Sequence, residues 1–185
     1  MQYYDSAFRN GENAPVDYSL HYPAAEQQIT KEEIYDLADR HGVEITDYKE
    51  AQAAELLIIY AGTELNDDGE YYDVKREKYA TFLSASEFSR IAGEPVSLKP
   101  GEYKAIVQQN YQEEIWAKPE CLLKVASPAA GEEMEPVYKG TVAFDNLTRV
   151  SDPFAFILSD ADYASYTAGL TEDNKEDMVF FNVKD

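Results

Sequence analysis

Tyr79-Ala80-Thr81-Phe82-Leu83-Ser84-Ala85-Ser86-Glu87-Phe88 decides how this chain is organised, because its pattern returns at Phe154-Ala155-Phe156-Ile157-Leu158-Ser159-Asp160-Ala161-Asp162-Tyr163. In each copy an apolar run suited to a buried strand stops at a serine. The hydroxyl can accept a hydrogen bond from a free amide of the next helical turn. Glu87 or Asp162, three residues on, places a carboxylate where a helix start favours one. Gly93 and Gly169 close the two units. The repeat therefore predicts a strand-Ser-helix unit used twice, which is architecture and not chemistry.

Upstream of the first unit, Pro15–Tyr22 alternates Val16, Tyr18, Leu20 and Tyr22 on one face, the period of a half-buried strand that Pro23 ends. Thr30-Lys31-Glu32-Glu33 fits a capping box. Ile34, Leu37, Ala38 and His41 follow at helical spacing before Gly42, which predicts a helix of about three turns. Val43–Tyr48 reads as extended, and Glu55–Tyr60, apolar on both parities, as a central strand. Asn66-Asp67-Asp68-Gly69-Glu70 marks a turn that leads through Tyr71–Val74 back to the repeat.

Between the units, Val96–Leu98 and Tyr103–Val107 read as strands about a Lys99–Glu102 turn. Cys121–Val125 and Val137–Phe144 flank a Pro/Gly/Glu loop at Ser127–Pro136, a hairpin with an acidic tip. Met178–Val183 gives a last strand. Strands come in runs instead of alternating with helices. The expected class is α+β, a mainly antiparallel sheet with several short helices. Residues 1–14 form a polar lead-in, and 15–185 one α+β domain, as a single unit or two lobes sharing a sheet.

A formal net charge of -20 argues against a nucleic-acid partner or an anionic membrane surface, because phosphates are held by Lys/Arg clusters. Such a field attracts cations: a basic peptide, a polyamine or calcium. The acid clusters Asp67, Asp68, Glu70 and Glu132, Glu133, Glu135 fall at the two expected hairpin tips, free of core duties, and are the candidate ligand contacts. The alternative reading is that this acidity only keeps the protein soluble. No window reaches the roughly 18 apolar residues of a transmembrane helix, and the N-terminus lacks the basic-then-apolar order of a signal peptide. The chain as given is expected to be soluble, which leaves room for its being a piece of a membrane protein.

Motifs for catalysis are wanting. Nucleophile-elbow, Walker, dinucleotide, Cys-x-x-Cys and zinc-protease patterns are all absent from the sequence. His41 is expected to interact with the C-terminal end of its helix. His21 is expected on the outward parity of its strand, with no acidic or cysteine partner at ligand spacing. The lone Cys121 excludes an intrachain disulfide and reads as a buried small hydrophobe. Asn66–Glu70 lacks the ligand order of a calcium loop. Trp116 and the tyrosines are expected in the core. Neither enzyme activity, cofactor nor metal is expected.

Three segments together resemble the large extracellular domain of FtsX-like ABC transporter permeases of the bacitracin-export type. Phe82–Glu102 is similar to a leucine-serine, acidic-aromatic helix, glycine, strand and lysine-x-glycine-glutamate sequence. Ile157–Tyr163 is similar to the later strand-serine-aspartate helix, and Val179–Val183 to the closing strand. That resemblance implies a non-catalytic domain on the extracellular face of the membrane, inserted between two transmembrane helices. It would contribute to sensing or removal of a cell-wall-active antimicrobial peptide or its complex with a lipid. Its implied partners are a cytoplasmic ATPase subunit, reached through the transmembrane part, and a sensor histidine kinase. The competing expectation is a free-standing acidic adaptor that binds a basic protein.

Overall fold

The computed structural model of the protein describes residues 16–26, 28–65, 67–107, 122–129, 131–147 and 154–184; the 1–14 lead-in, Trp116 and Cys121 lie outside them. Its elements in chain order begin with β1 (Tyr18–Pro23), α1 (Lys31–Arg40), β2 (Glu44–Leu65), β3 (Tyr71–Ser84), α2 (Ala85–Ala92) and β4 (Glu102–Val107). β5 (Leu122–Ala126), β6 (Glu133–Met134), β7 (Val137–Ala143), a 3-10 turn at Asp145–Leu147 and β8 (Phe154–Leu158) follow. The last elements are α3 (Asp160–Thr167), a 3-10 turn at Glu172–Asn174 and β9 (Lys175–Lys184). The strands form one mixed sheet in the order β1-β9-β2-β3-β8-β4-β7, with β5 on the far half of β2 and β6 on β5. Most pairs are antiparallel; β3/β8 and β4/β7 are parallel. The fold is α+β, as the sequence predicts.

Both repeated units form. Ser84 caps α2 by accepting the Glu87 amide at 3.2 Å, and Ser159 caps α3 by accepting the Asp162 amide at 3.1 Å. Their strands lie side by side and parallel, Ser84 level with Leu158. Side chains alternate across a sheet, so neighbouring residues of β3 serve opposite cores. Leu83 packs with Ile157, Phe88 and Ile91 under α2, whereas Phe82 packs with Phe156, Leu158 and the half-buried Tyr163 and Tyr166 of α3. The two helices thus cover opposite faces. Ala51 and Ala53 of β2 leave room in the first core for an edge-on aromatic chain, Phe88 on Phe144 at 5.7 Å and Phe144 on Phe180 at 5.9 Å.

β2 is one continuous strand of 22 residues where the sequence reads as two separate extended stretches. A bulge reconciles them. Thr46 pairs with Asn182 and Lys49 with Phe180, one residue more on β2 than on β9, and Asp47 takes a left-handed φ of 52° between them. The extra residue resets the parity. Ile45 and Tyr48 therefore face the same small core of Ile34, Val179 and Phe181 beneath α1, while Ala51 and Ala53 turn to the opposite face. The helix itself carries the full capping box: the Thr30 hydroxyl accepts the Glu33 amide at 3.2 Å, and the Thr30 amide donates to the Glu33 carboxylate at 2.8 Å. His41 is the C-cap residue.

The expected hairpin of β5 with β7 does not form. β5 turns back instead onto the two-residue β6, Val125 against Met134 and Ala126 against Glu133, while its other edge pairs with β2. Pro136, which has no amide to donate, ends this ladder. The Val137 amide then donates to the Gly101 carbonyl at 2.7 Å, and β7 runs parallel to β4.

Candidate functional site

The two acid clusters do not form one site. Asp67, Asp68 and Glu70 occupy the turn between β2 and β3, beyond the Leu65–Tyr71 pair, with Gly69 at φ 80° completing the turn. Glu133 belongs to β6, with Glu132 and Glu135 on either side of that strand, and its partner Ala126 lies opposite Leu57. Eight residues of β2 separate Leu57 from Leu65, about 26 Å at strand rise. Glu135 is also engaged, by Lys124 at 2.9 Å. Each cluster is a separate exposed tip.

His21 departs most from its sequence reading. It points inward beside Ser19, with 6% of its side chain exposed, and its Nδ1 lies 3.0 Å from Oε1 of Glu176, whose side chain is 8% exposed. The other nitrogen, Nε2, is 2.8 Å from the Asn146 carbonyl. A carbonyl only accepts, so Nε2 carries a hydrogen; Nδ1 and a carboxylate oxygen at 3.0 Å need one hydrogen between them as well. The Ser19 hydroxyl donates to the same Asn146 carbonyl at 3.3 Å, and the Asn146 side-chain amide donates to the Val16 carbonyl. Ser, His and Glu are all present here, but the serine and imidazole converge on a carbonyl and not on each other. That arrangement ties β1 to β9 and to the 3-10 turn; it does not activate a nucleophile.

At the shared carboxyl end of β3 and β8 the starts of α2 and α3 meet. Asp160 accepts the Ser86 amide at 2.9 Å and Asp162 accepts the Gly101 amide at 2.7 Å, so each acid of the second unit reaches across to another element. Tyr163 follows, its hydroxyl pushed up to about 12 by burial and then by the nearby Glu87. These contacts are internal to the fold.

Among the described residues a concave feature open to solvent lies beside α1. A groove of 440 Å³ is bounded by the start of that helix, Tyr48, Glu50, Ala51 and Gln52 of β2, Asp177–Val179 of β9 and Glu87 of α2. Both oxygens of Asp177 accept side-chain amides, from Gln28 and from Gln52, the latter at 2.8 Å. The Tyr48 hydroxyl donates to Glu50 at 3.0 Å and is pushed above its ordinary value by burial and by that carboxylate. Over the Tyr48 ring stands the ammonium of Lys31, 4.8 Å from its centre and 5.7 Å from that of Tyr35. Among the described residues no group of three or more His, Cys, Asp or Glu side chains is placed to hold a metal ion.

Sequence reasoning misses this groove and the His21 pair. Both need β9, which arrives from the far end of the chain. One signal was present: Glu176 shares the inward parity of Met178 and Phe180, a charged residue on the core side of the last strand. Comparison with known proteins finds no matching family model, no matching curated protein and no matching solved structure. No helix among the described residues is long and apolar enough to cross a membrane.

Proposed function

We propose that the chain is a non-catalytic extracellular domain of an FtsX-like ABC transporter permease, contributing to the sensing or removal of cell-wall-active antimicrobial peptides. The reading rests first on the segments that resemble that family, Phe82–Glu102, Ile157–Tyr163 and Val179–Val183. The observation that carries it in the fold is the way the first and last described strands adjoin. β1 and β9 are antiparallel neighbours; the Asp17 amide donates to Asn182, and the Val183 amide donates to Asp17, both at 2.9 Å. A domain tethered at both ends by adjacent membrane helices needs its entry and exit strands at one place. Such a domain acts by preferring one transport state of its ligand complex over another, and needs no bond-making chemistry.

The test uses the full-length protein in its own cells. With Cys121→Ser as background, Asp68→Cys at the exposed β2/β3 turn is treated with a membrane-impermeant thiol reagent. Labelling of intact cells, together with an apolar segment on each side of this stretch and a neighbouring ATPase gene, is the expected result. Protection in intact cells with labelling only after lysis sinks the proposal and favours the free-standing acidic adaptor.

A further inference from the structure

We propose that the uncovered face of β5, β2 and β3 is an interface between two copies of this chain, packed face to face about a two-fold axis that runs along β2. The two sides of these strands are unlike. On one, Ile58, Leu123 and Val125 are buried and packed with Met134 and Tyr138. On the other, Leu57, Ile59 and Ala61 of β2 are only partly covered and Tyr79 of β3 is 51% exposed; none of the four joins any of the three cores. The cover that α2 gives this side lies lower, around Ala53 and Leu83. A sheet face left to water alone reads as polar, and a row of Leu, Ile and Ala on its central strand marks a surface that takes a partner.

The occupant follows from the order of charges across the strands. Register sets Lys124, Ile59 and Glu77 side by side in one row, and Ala126, Leu57 and Tyr79 in the next. Turning a second copy over about an axis along β2 exchanges the two flanks. Lys124 then meets Glu77 of the partner subunit, Ile59 meets its own copy, and the large Tyr79 lies over Ala126 of the partner subunit. An axis across the strands would instead set like charges on each other, so the pattern selects one geometry. Lys124 already holds Glu135 at 2.9 Å, but both side chains stand about half in water; such a pair is weak, and an ammonium has three donors with which to hold two acids. The face is balanced, Lys75 and Lys124 against Glu77 and Glu135, where a formal charge of -20 otherwise keeps two copies apart. Glu55, one row below Leu57, would face its own copy and so bounds the contact. Three rows on three strands cover roughly 300 Å² per copy at strand spacing. That is below the roughly 800 Å² of a standard interface, so the dimer is weak and reversible.

The inference stands on this sheet face and not on the permease reading, so either can fail alone. To test it, sedimentation velocity of the chain is followed up to about 1 mM at about 0.15 M salt. Expected is a reversible equilibrium of monomer and dimer that Ile59→Asp abolishes. Lys124→Glu and Glu77→Lys should each weaken self-association about tenfold, because both facing pairs of the dimer then set like charges together. Mixing these two variants restores opposite charges at both pairs, so the mixture should dimerise where neither variant does alone. Lys31→Glu and Asp68→Lys make the same two changes of net charge away from this face; alone or mixed, they should associate within about twofold of the unchanged chain. No self-association at that concentration, Lys124→Glu and Glu77→Lys chains that associate like the unchanged one, or a mixture no better than its components would each overturn the proposal. Should Ile59→Asp unfold the chain by circular dichroism, the mixture of charge variants, both at solvent-facing positions, decides the question.

Discussion

Glu176→Ala should be among the most damaging single changes in this protein, although the residue is polar and lies near the end of the chain. The substitution leaves the His21 ring buried, with Nε2 still donating to the Asn146 carbonyl and Nδ1 facing a space where the carboxylate stood 3.0 Å away. Leaving a buried polar group without its partner costs about 1–3 kcal/mol, and about 3–5 kcal/mol where the pair is ionised, because Nδ1 then has neither partner nor water. The exposed Lys175–Glu172 pair, at 3.4 Å with side chains 26% and 59% exposed, sets the contrast: such pairs contribute only about 0.2–1 kcal/mol. Glu176→Gln separates charge from hydrogen bonding. Its amide can still meet either form of Nδ1, so the loss should fall to about 1–2 kcal/mol. Urea unfolding followed by circular dichroism gives all three values, provided the slope is unchanged among variants. A loss below about 1 kcal/mol for Glu176→Ala, or equal losses for Ala and Gln, would refute the view of this pair as a buried clamp between β1 and β9.

Other outcomes follow from single contacts. Ser84→Ala and Ser159→Ala should each cost about 0.5–2 kcal/mol in the same unfolding experiment, since each hydroxyl holds one helix-start amide. Phe88→Ala removes a side chain 1% exposed from the middle of the aromatic chain and should cost about 3–5 kcal/mol, whereas Phe88→Leu should cost clearly less. For Tyr163 the folded value of about 12 lies above the ordinary 10, so the neutral hydroxyl is the form the fold favours. Its stabilising contribution, of order 2 kcal/mol, is whole below pH 10 and is lost as pH rises from 10 through 12. Tyr163→Phe should flatten that part of the stability profile measured against pH.

Where structure is set by neighbours in sequence, it was legible. The serine, acid and glycine of each repeated unit lie within a few residues of one another, and so do Thr30 and Glu33 of the capping box; each motif satisfies its own free amides wherever the chain carries it. Pairing between distant strands was less so. β5 and β7 flank an acidic loop and look like a hairpin, but Pro136 breaks the ladder and Gly101, far upstream, supplies the carbonyl that captures Val137. Period-2 alternation identified β1 without revealing that both of its faces are covered, Tyr18 and Leu20 by the small core under α1, Ser19 and His21 by β9 and the 3-10 turn. The groove was illegible for a related reason. Its parity depends on the bulge at Asp47, a non-glycine residue at positive φ, and an alternation count that omits one residue assigns Tyr48 and Glu50 to the wrong face.

The repeat also explains why carboxylates gather where β3 and β8 end. Parallel neighbours β3 and β8 end together, so α2 and α3 both begin at the same edge and bring the positive ends of two helix dipoles close. Left alone, that meeting is unfavourable and exposes two sets of unpaired amides. Glu87 and Asp162 answer it within their own helices, at the third position after each serine. Asp160 and Asp162 also answer it between elements, by taking the Ser86 and Gly101 amides. The second unit's extra aspartate is therefore what lets two copies of a self-sufficient motif sit next to each other in one sheet. Because α2 and α3 cover opposite faces, the same contact joins the core beneath α2 to the core beneath α3.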